Sequence, residues 1–341
     1  MGTNLTPILK SKEISLEKLK NKRLIIDAYN TLYQYLSSIR QRDGTLLMNS
    51  KGNVTSHLSG LYFRTINMMK KGMKIAFCFD GESPELKKEE KKKRKKRKEK
   101  AKEKYEKAKA EHDIFAMRKY AARTSKLTYQ MVAESKELIS AMGLPVVQAP
   151  SEAEAQAAYM VSRGEFFGII TQDTDALLFG STRIVKNLTI SRKRKKRNAM
   201  GYETINPEII ELSENLNQLG LDQDQLIVLS MLVGTDFNPG GIKGIGPKTG
   251  LKLLKKYNKD FEKIFKESEW DKFFEYSWKK VFDLIKNMPV TDDYSLEWKN
   301  IDKQKIIEIL IKKNEFSEKR VLNQIKKLVK KQKQKGLNEW F

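Results

Sequence analysis

Apolar positions along the chain follow two periods, one of strands and one of helices. Three short apolar runs lead into acids: KRLIID (22–27) ends in Asp27, KIAFCFD (74–80) ends in Asp80 before Gly81, and residues 166–170 run towards Asp173 and Asp175. Helical spacing fills the intervals. AYNTLYQYLSSIR follows Asp27, residues 57–71 carry Leu58, Leu61, Tyr62, Ile66 and Met69, and residues 131–142 form an amphipathic segment closed by Gly143. Strand, helix and strand in that order predict a right-handed βαβ unit and a parallel sheet. LPVVQAP (144–150) reads as a further strand leading to Ser151, and 180–189 as a strand pair at the sheet edge. A helix is expected over 221–234, with Leu226, Ile227, Leu229, Leu232 and Val233 apolar. Residues 259–328 are helical in style, Val321, Leu322, Ile325, Leu328 and Val329 making one packing face, and 330–335 read as a basic linker. The fold class is α/β, with a mostly parallel central sheet flanked by helices.

The acids change the picture from architecture to chemistry. Glu152 and Glu154 form one acid-x-acid pair, Asp173 and Asp175 another, and GTDF adds Asp236. One aspartate after a strand means little, but three such strands deliver carboxylates to one edge of a sheet, where open α/β folds build their sites. Two plainer readings stand beside this. Ser151-x-x-Glu154 is also a capping box, and Asp173-Thr-Asp175 alone is more often a turn than a ligand pair. Carboxylates converging at one point repel unless a cation lies between them, and a pair of divalent metal ions is the natural candidate.

Composition narrows the partner. The 341 residues carry 67 Lys and Arg against 43 Asp and Glu, a net charge of +24, which points to a polyanion such as nucleic acid. A membrane surface competes for that charge, but no apolar run approaches the length of a span. The single Cys78 lies in a strand-like run, as a small core residue, and cannot form an internal disulfide. His57 and His112 are the only histidines, which argues against histidine acid–base chemistry and a zinc site.

The charge is concentrated. Residues 87–104 hold 13 cations against four acids in strong helix formers, and helical character continues to 136. A solvated charged helix or a targeting signal is the plain reading; its place directly after a candidate ligand favours a mobile helical insertion that handles phosphates. RKRKKR (192–197) reads as a loop, either a solvated tip, which is the favoured reading, or a contact to a phosphate backbone. NPGGIKGIGPKTGLKLLKKY (238–257) reads as the hairpin of a helix-hairpin-helix module, Lys243, Gly244, Gly246 and Lys248 facing a phosphate backbone, with a structural glycine turn as the alternative. Pro247 between Gly246 and Lys248 breaks the adjacency a nucleotide P-loop needs. The final QKGLNEWF places Gln334, Leu337, Trp340 and Phe341 as a docking peptide.

LIIDAYNTLYQYL, TSHLSGLYFRTINMMKKGMKIAFCFDG, APSEAEAQAAYMV, TQDTDALLFGS, LVGTDF and GIKGIGPK, in this order and spacing, resemble the structure-specific flap endonucleases of the archaeal and eukaryal type over essentially the whole chain. The resemblance implies a PIN-like 5'-nuclease fold with a helical arch and a helix-hairpin-helix element. It divides the chain into nuclease regions (1–81 and 131–237), the arch (82–130), the hairpin motif (238–257), a helical region (258–329), and a linker with docking peptide (330–341). It implies that Asp27, Asp80, Glu152, Glu154, Asp173, Asp175 and Asp236 hold two Mg²⁺ ions, with Mn²⁺ as a substitute and a monovalent cation at the hairpin. Such a pair, roughly 3.5 to 4 Å apart, activates water and stabilises the leaving oxygen.

Lys87 and Arg94 match arch-base cations aimed at the scissile phosphate, Tyr33 an aromatic that stacks near the unpaired nucleotide, and Arg40 and Arg64 positions on the DNA-facing surface. Removal of Met1 would expose Gly2 beside the DNA. The implied activity is 5'-flap cleavage with 5'-3' exonuclease action in lagging-strand maturation and repair. The implied partners are branched DNA and a PCNA-type sliding clamp, for a cytoplasmic, archaeal-type monomer that binds no membrane. Phe237 stands where the family commonly has tyrosine, and Tyr29 and Asn30 are bulkier than the residues often found there. A related excision-repair nuclease, an inactive clamp-associated adaptor and an RNA-processing nuclease are the competing readings; the short arch insertion opposes the first, the seven acids the second, and the hairpin and tail the third.

Overall fold

The acid-terminated runs become neighbouring strands of one sheet. The computed structural model describes residues 3–189, 193–195 and 202–338. The chain opens with β1 (Lys12–Glu13), β2 (Arg23–Asp27), α1 (Ala28–Ser38), α2 (Ser56–Lys70) and β3 (Lys74–Phe79). The basic insertion forms α3 (Lys88–Ala110) and α4 (Ile114–Ala121), packed on each other, before α5 (Tyr129–Ala141), β4 (Val146–Gln148), α6 (Ala153–Ser162), β5 (Gly168–Ile170) and β6 (Arg183–Lys186). A hairpin of β7 (Lys193–Lys195) and β8 (Tyr202–Thr204) precedes β9 (Glu208–Glu211). The rest is helical: α7 (Leu212–Leu219), α8 (Gln223–Val233), α9 (Pro247–Tyr257), α10 (Phe261–Glu267), α11 (Trp278–Lys286), α12 (Lys303–Ile306), which continues as a wide turn to Lys313, and α13 (Glu318–Asn338).

The sheet order is β1-β9-β6-β5-β2-β3-β4, parallel from β6 through β4 and antiparallel where β9 joins β6 and β1. Period-two alternation divides the core between the two faces. Leu24, Ile26, Ile75, Phe77, Ile170 and Val185 pack towards α1, α2 and α5, whereas Ile25, Ala76, Cys78, Ile169 and Ile184 pack towards α6 and α8. Alanines at 153, 155, 157 and 158 are all buried, so α6 can lie close against the sheet. The chain moves from β2 outward to β3 and β4, then returns to the other side of β2 as β5. That return opens a crevice between the carboxyl ends of β2 and β5, where such sheets hold their ligands.

Several expectations are corrected. Residues 180–189 supply one strand rather than a pair at the edge; Asn187, in the left-handed region at φ 67°, ends it, and β9 and β1 continue the sheet. Within 192–197, expected as a loop tip, residues 193–195 are strand-paired with 202–204, and the remainder lies outside the described residues. The 330–335 linker is helical, because α13 runs to Asn338 through residues that are good helix formers. The apolar run 166–170 narrows to Gly168–Ile170 as strand.

Candidate active site

Asp27 closes β2 and caps α1, accepting the Asn30 N–H at 3.1 Å. Asp80 lies one residue beyond β3. Its carboxylate accepts the Ala153 N–H at 2.7 Å and so caps α6, while the Ser151 hydroxyl donates to the Glu82 carbonyl at 2.9 Å. The capping-box reading of Ser151 and Glu154 therefore fails: Glu152 is the cap residue, no side chain of its own segment caps the helix, and Glu154 instead meets the Thr171 hydroxyl at 3.3 Å. Gly81 brings the two loops together, its N–H donating to the Ser151 carbonyl at 2.6 Å. A β-carbon there would stand 2.2 Å from the Ala149 oxygen, so the approach that sets Asp80 beside Glu152 requires glycine.

Past β5, Asp173 accepts the Asn30 side-chain amide at 2.6 Å, and Asp175 accepts the Thr3 N–H at 2.6 Å. Asp236 is presented by the turn that ends α8. Buried Asn238 braces that turn, accepting the Thr235 hydroxyl at 2.6 Å and donating to the Met231 carbonyl at 2.6 Å.

The carboxylates feel one another. Burial, then the Asp80 and Asp173 charges, raise the Asp27 pKa well above its ordinary value. Burial and Glu152 push Asp80 to about 6, and burial with Asp173 and Asp236 pushes Asp175 to about 7. Glu154 is raised by burial and by Asp175, Asp27 and Asp173. These mutual repulsions join acids from five separate segments into one cluster.

Two arch cations reach into it. The Lys87 ammonium lies 2.5 Å from Glu152 and 3.5 Å from Asp236, and one Arg94 nitrogen contacts both Asp236 oxygens, at 2.8 and 2.7 Å. Burial alone would lower the Lys87 pKa; Glu152 and Asp236 outweigh it and raise it. Among the described residues no three acids are drawn close enough to clasp one ion as the side chains stand. The donor chemistry nevertheless fits hard divalent cations: the cluster is all carboxylate, internally repelling, and already holds positive charge at Glu152 and Asp236.

Tyr33 is half-exposed beside an open cavity of about 380 Å³ that Asn30, Gln34, Lys98, Arg123 and Asp173 also line. The Lys98 ammonium stands over its ring, 4.9 Å from the centroid. Arg40 and Arg64, expected on a DNA-facing surface, are half-buried and hydrogen-bonded within the protein. Arg40 donates to the Leu36 and Gly44 carbonyls and the Ser125 hydroxyl, each at 2.8 Å, tying α1 to the far end of the arch. Arg64 donates to the Thr189 carbonyl and lies over the Tyr35 ring.

Lys243, Gly244, Gly246 and Lys248 occupy the hairpin between α8 and α9, with both lysines exposed and Pro247 opening the second helix. Gly2, Trp340 and Phe341 lie outside the described residues, and Gln334 and Leu337 fall where only the course of α13 is described. Sequence reading missed Asn30 as a partner of Asp173, Thr3 as a partner of Asp175, and Glu90, a buried acid beside Arg94. Glu90 had a signal, an acid four residues before an arginine in a helix.

Comparison with known proteins gives the same assignment over the full length. The XPG N-terminal domain family matches residues 1–101 and the XPG I-region family residues 143–236. Flap endonuclease 1 of Pyrococcus abyssi is 48% identical over 345 residues, covering 100% of this chain and 98% of that protein. Flap endonuclease 1 of Staphylothermus marinus is 48% identical, with 100% of both chains covered. Among solved structures, flap endonuclease-1 from Methanococcus jannaschii superposes with a TM-score of 0.77 at 39% identity, covering 98% of this chain and 100% of that one. The catalytic core of Rad2 in complex with DNA substrate, at 24% identity and a TM-score of 0.68, shares the fold. With seven acids at one sheet edge, an arch over them and relatives matched end to end, the chain belongs to the flap endonuclease 1 family.

Proposed function

We propose that this protein is a metal-dependent, structure-specific nuclease that removes 5' flaps from branched DNA by phosphodiester hydrolysis. The same site would trim 5' ends exonucleolytically, in Okazaki fragment maturation and repair. One observation carries the reading. Asp27, Asp80, Glu154, Asp173 and Asp175 repel one another at the carboxyl edge of the parallel strands, with Lys87 and Arg94 entering from the arch.

In this reading Asp27, Asp80, Glu152, Glu154, Asp173, Asp175 and Asp236 hold two Mg²⁺ ions. When bound, such ions supply an activated water and stabilise the leaving oxygen in an in-line displacement at phosphorus. Lys87 and Arg94 offset charge that develops on the scissile phosphate. Tyr33, cation-flanked beside Asp173, offers a stacking face to an unpaired base. Lys243 and Lys248, with the amides around Gly244 and Gly246, grip the phosphates of the flanking duplex. Gln334, Leu337, Trp340 and Phe341 dock the enzyme on a sliding clamp, a reading supported by their spacing alone. Among the described residues no helix is long and apolar enough to cross a membrane.

The test is a 5'-labelled flap on a nicked duplex, incubated with wild type and Asp173→Ala in Mg²⁺ or EDTA, beside plain duplex, a 3' flap and an RNA strand. Cleavage near the junction that needs both Mg²⁺ and Asp173 is expected. Binding without cleavage by wild type would turn the assignment to an adaptor.

A further inference from the structure

The arch helix α3 is among the most basic segments of the chain, yet one acid in its first turn, Glu90, is only 5% exposed. Its neighbour Glu89 is exposed, as an acid that merely complements a helix N-terminus would be. Glu90 instead accepts the Arg94 Nε at 3.0 Å, and Arg97 approaches the same oxygen at 3.5 Å. The Arg94 guanidinium is thereby spanned by two carboxylates, Glu90 on its Nε side and Asp236 on an outer nitrogen. Exposed pairs of this spacing contribute little to stability and need no burial. A buried acid of this kind is explained by what it does to the arginine.

Glu90 fixes the guanidinium plane, because Nε is the one donor that cannot swing when the outer nitrogens change partner. If Asp236 is a metal ligand, both its oxygens cannot stay with Arg94. The guanidinium must then release Asp236 while keeping its aim into the site. We infer that Glu90 is the positioning residue of Arg94: it holds the Nε edge so that the outer nitrogen rests on Asp236 in the metal-free protein and on a phosphate oxygen once Asp236 is engaged. The inference rests on the nuclease reading above.

Single-turnover flap cleavage and calorimetric Ca²⁺ titration test it on the full-length protein, using wild type, Glu90→Ala, Glu90→Gln, Arg94→Ala and the Glu90→Ala/Arg94→Ala double variant. Arg94→Ala should slow cleavage about 10²-fold or more, the scale of one lost transition-state donor. Glu90→Ala should slow it roughly tenfold through misalignment, with Glu90→Gln between it and wild type because an acceptor oxygen remains. In the Arg94→Ala background, Glu90→Ala should change the rate by less than about twofold. Titration gives an independent readout. Loosening Arg94 frees Asp236, so Glu90→Ala should raise Ca²⁺ affinity, whereas a mere loss of one negative charge would lower it.

Rates that multiply in the double variant, a wild-type rate for Glu90→Ala, or a lowered Ca²⁺ affinity would each overturn the positioning role. Failure of the nuclease reading looks different, since wild type itself would then leave the flap uncut or Asp173→Ala would cut it. The titration still decides the role of Glu90 in that case.

Discussion

The Asp80 carboxylate accepts the backbone N–H of Ala153 at 2.7 Å, so an acid at the end of β3 caps the helix that carries Glu152 and Glu154. One side chain thus orders the acidic cluster and belongs to it. The two roles can be separated. Asp80→Asn keeps an acceptor oxygen for Ala153 and removes a repelled charge, so the melting temperature should hold or rise while cleavage falls by about 10²-fold or more. Asp80→Ala should lose activity as well and also cost about 1 kcal/mol of stability from the missing cap. Thermal melts and single-turnover rates on both variants check this, and equal stability loss in the two would refute the cap.

Gly81 makes that geometry possible. A β-carbon would stand 2.2 and 2.5 Å from the Ala149 and Pro150 carbonyl oxygens, which are backbone atoms that cannot turn aside. Gly81→Ala should force the β3 and α6 loops apart, destabilising the protein by about 1–3 kcal/mol and withdrawing Asp80 from Glu152. The expected result is a lower melting temperature together with a loss of cleavage that extra metal does not restore. A variant that melts lower but cuts at the wild-type rate would show that the loops move without displacing the acid.

Raised carboxylate pKa values set a pH dependence of known sign. Asp80 and Asp175 titrate at about 6 and about 7 in the folded chain, against an ordinary value of 3.8. Between the ordinary and raised values the folded state binds more protons than the unfolded one, so the cluster's contribution to stability falls as pH rises through that window. In EDTA the melting temperature should therefore lose ground between about pH 5 and pH 8 from this cluster. Mg²⁺ should raise it little at the lower pH and clearly at the higher, because bound cations need ionised ligands. A metal-induced shift of the same size at both ends would contradict the cluster as the binding site.

Much of this was legible in the sequence, for physical reasons that also mark where legibility stopped. Asp27, Asp80 and Asp173 could be placed because buried parallel strands are near-continuous apolar runs, and the residue that ends one is fixed in space. Asp236 followed from the close of an apolar helix. The failures are contacts between segments distant in sequence. β1 and β9 pair across more than half the length of the chain, and no local pattern announces such a pairing. Ser151 and Glu154 fit a local capping rule, but Asp80, far away in sequence, had already taken the helix N-terminus. The guanidinium groups of Arg40 and Arg64 also hold α1 and α2 to neighbouring loops, and only the fold reveals those bonds.

The two hairpin glycines differ in kind. Gly244 sits at φ +90°, where any side chain is strained, so substitution there mixes a backbone effect with any effect on binding. Gly246 has an ordinary φ of −96° and caps α9, and a β-carbon there would meet nothing within 4 Å. Its lack of a side chain answers no internal need, which leaves room for an external phosphate beside the first turn of α9. Gly246→Val should cost the free protein no more than about 1 kcal/mol. Affinity for a flap substrate with a long flanking duplex should fall roughly tenfold, with a shallower dependence on salt as phosphate contacts are lost. Truncating the duplex short of the hairpin should erase the difference from wild type. If Gly246→Val binds the long substrate as tightly as wild type at every salt concentration, the hairpin does not contact the backbone, and its exposed lysines are a solvated surface.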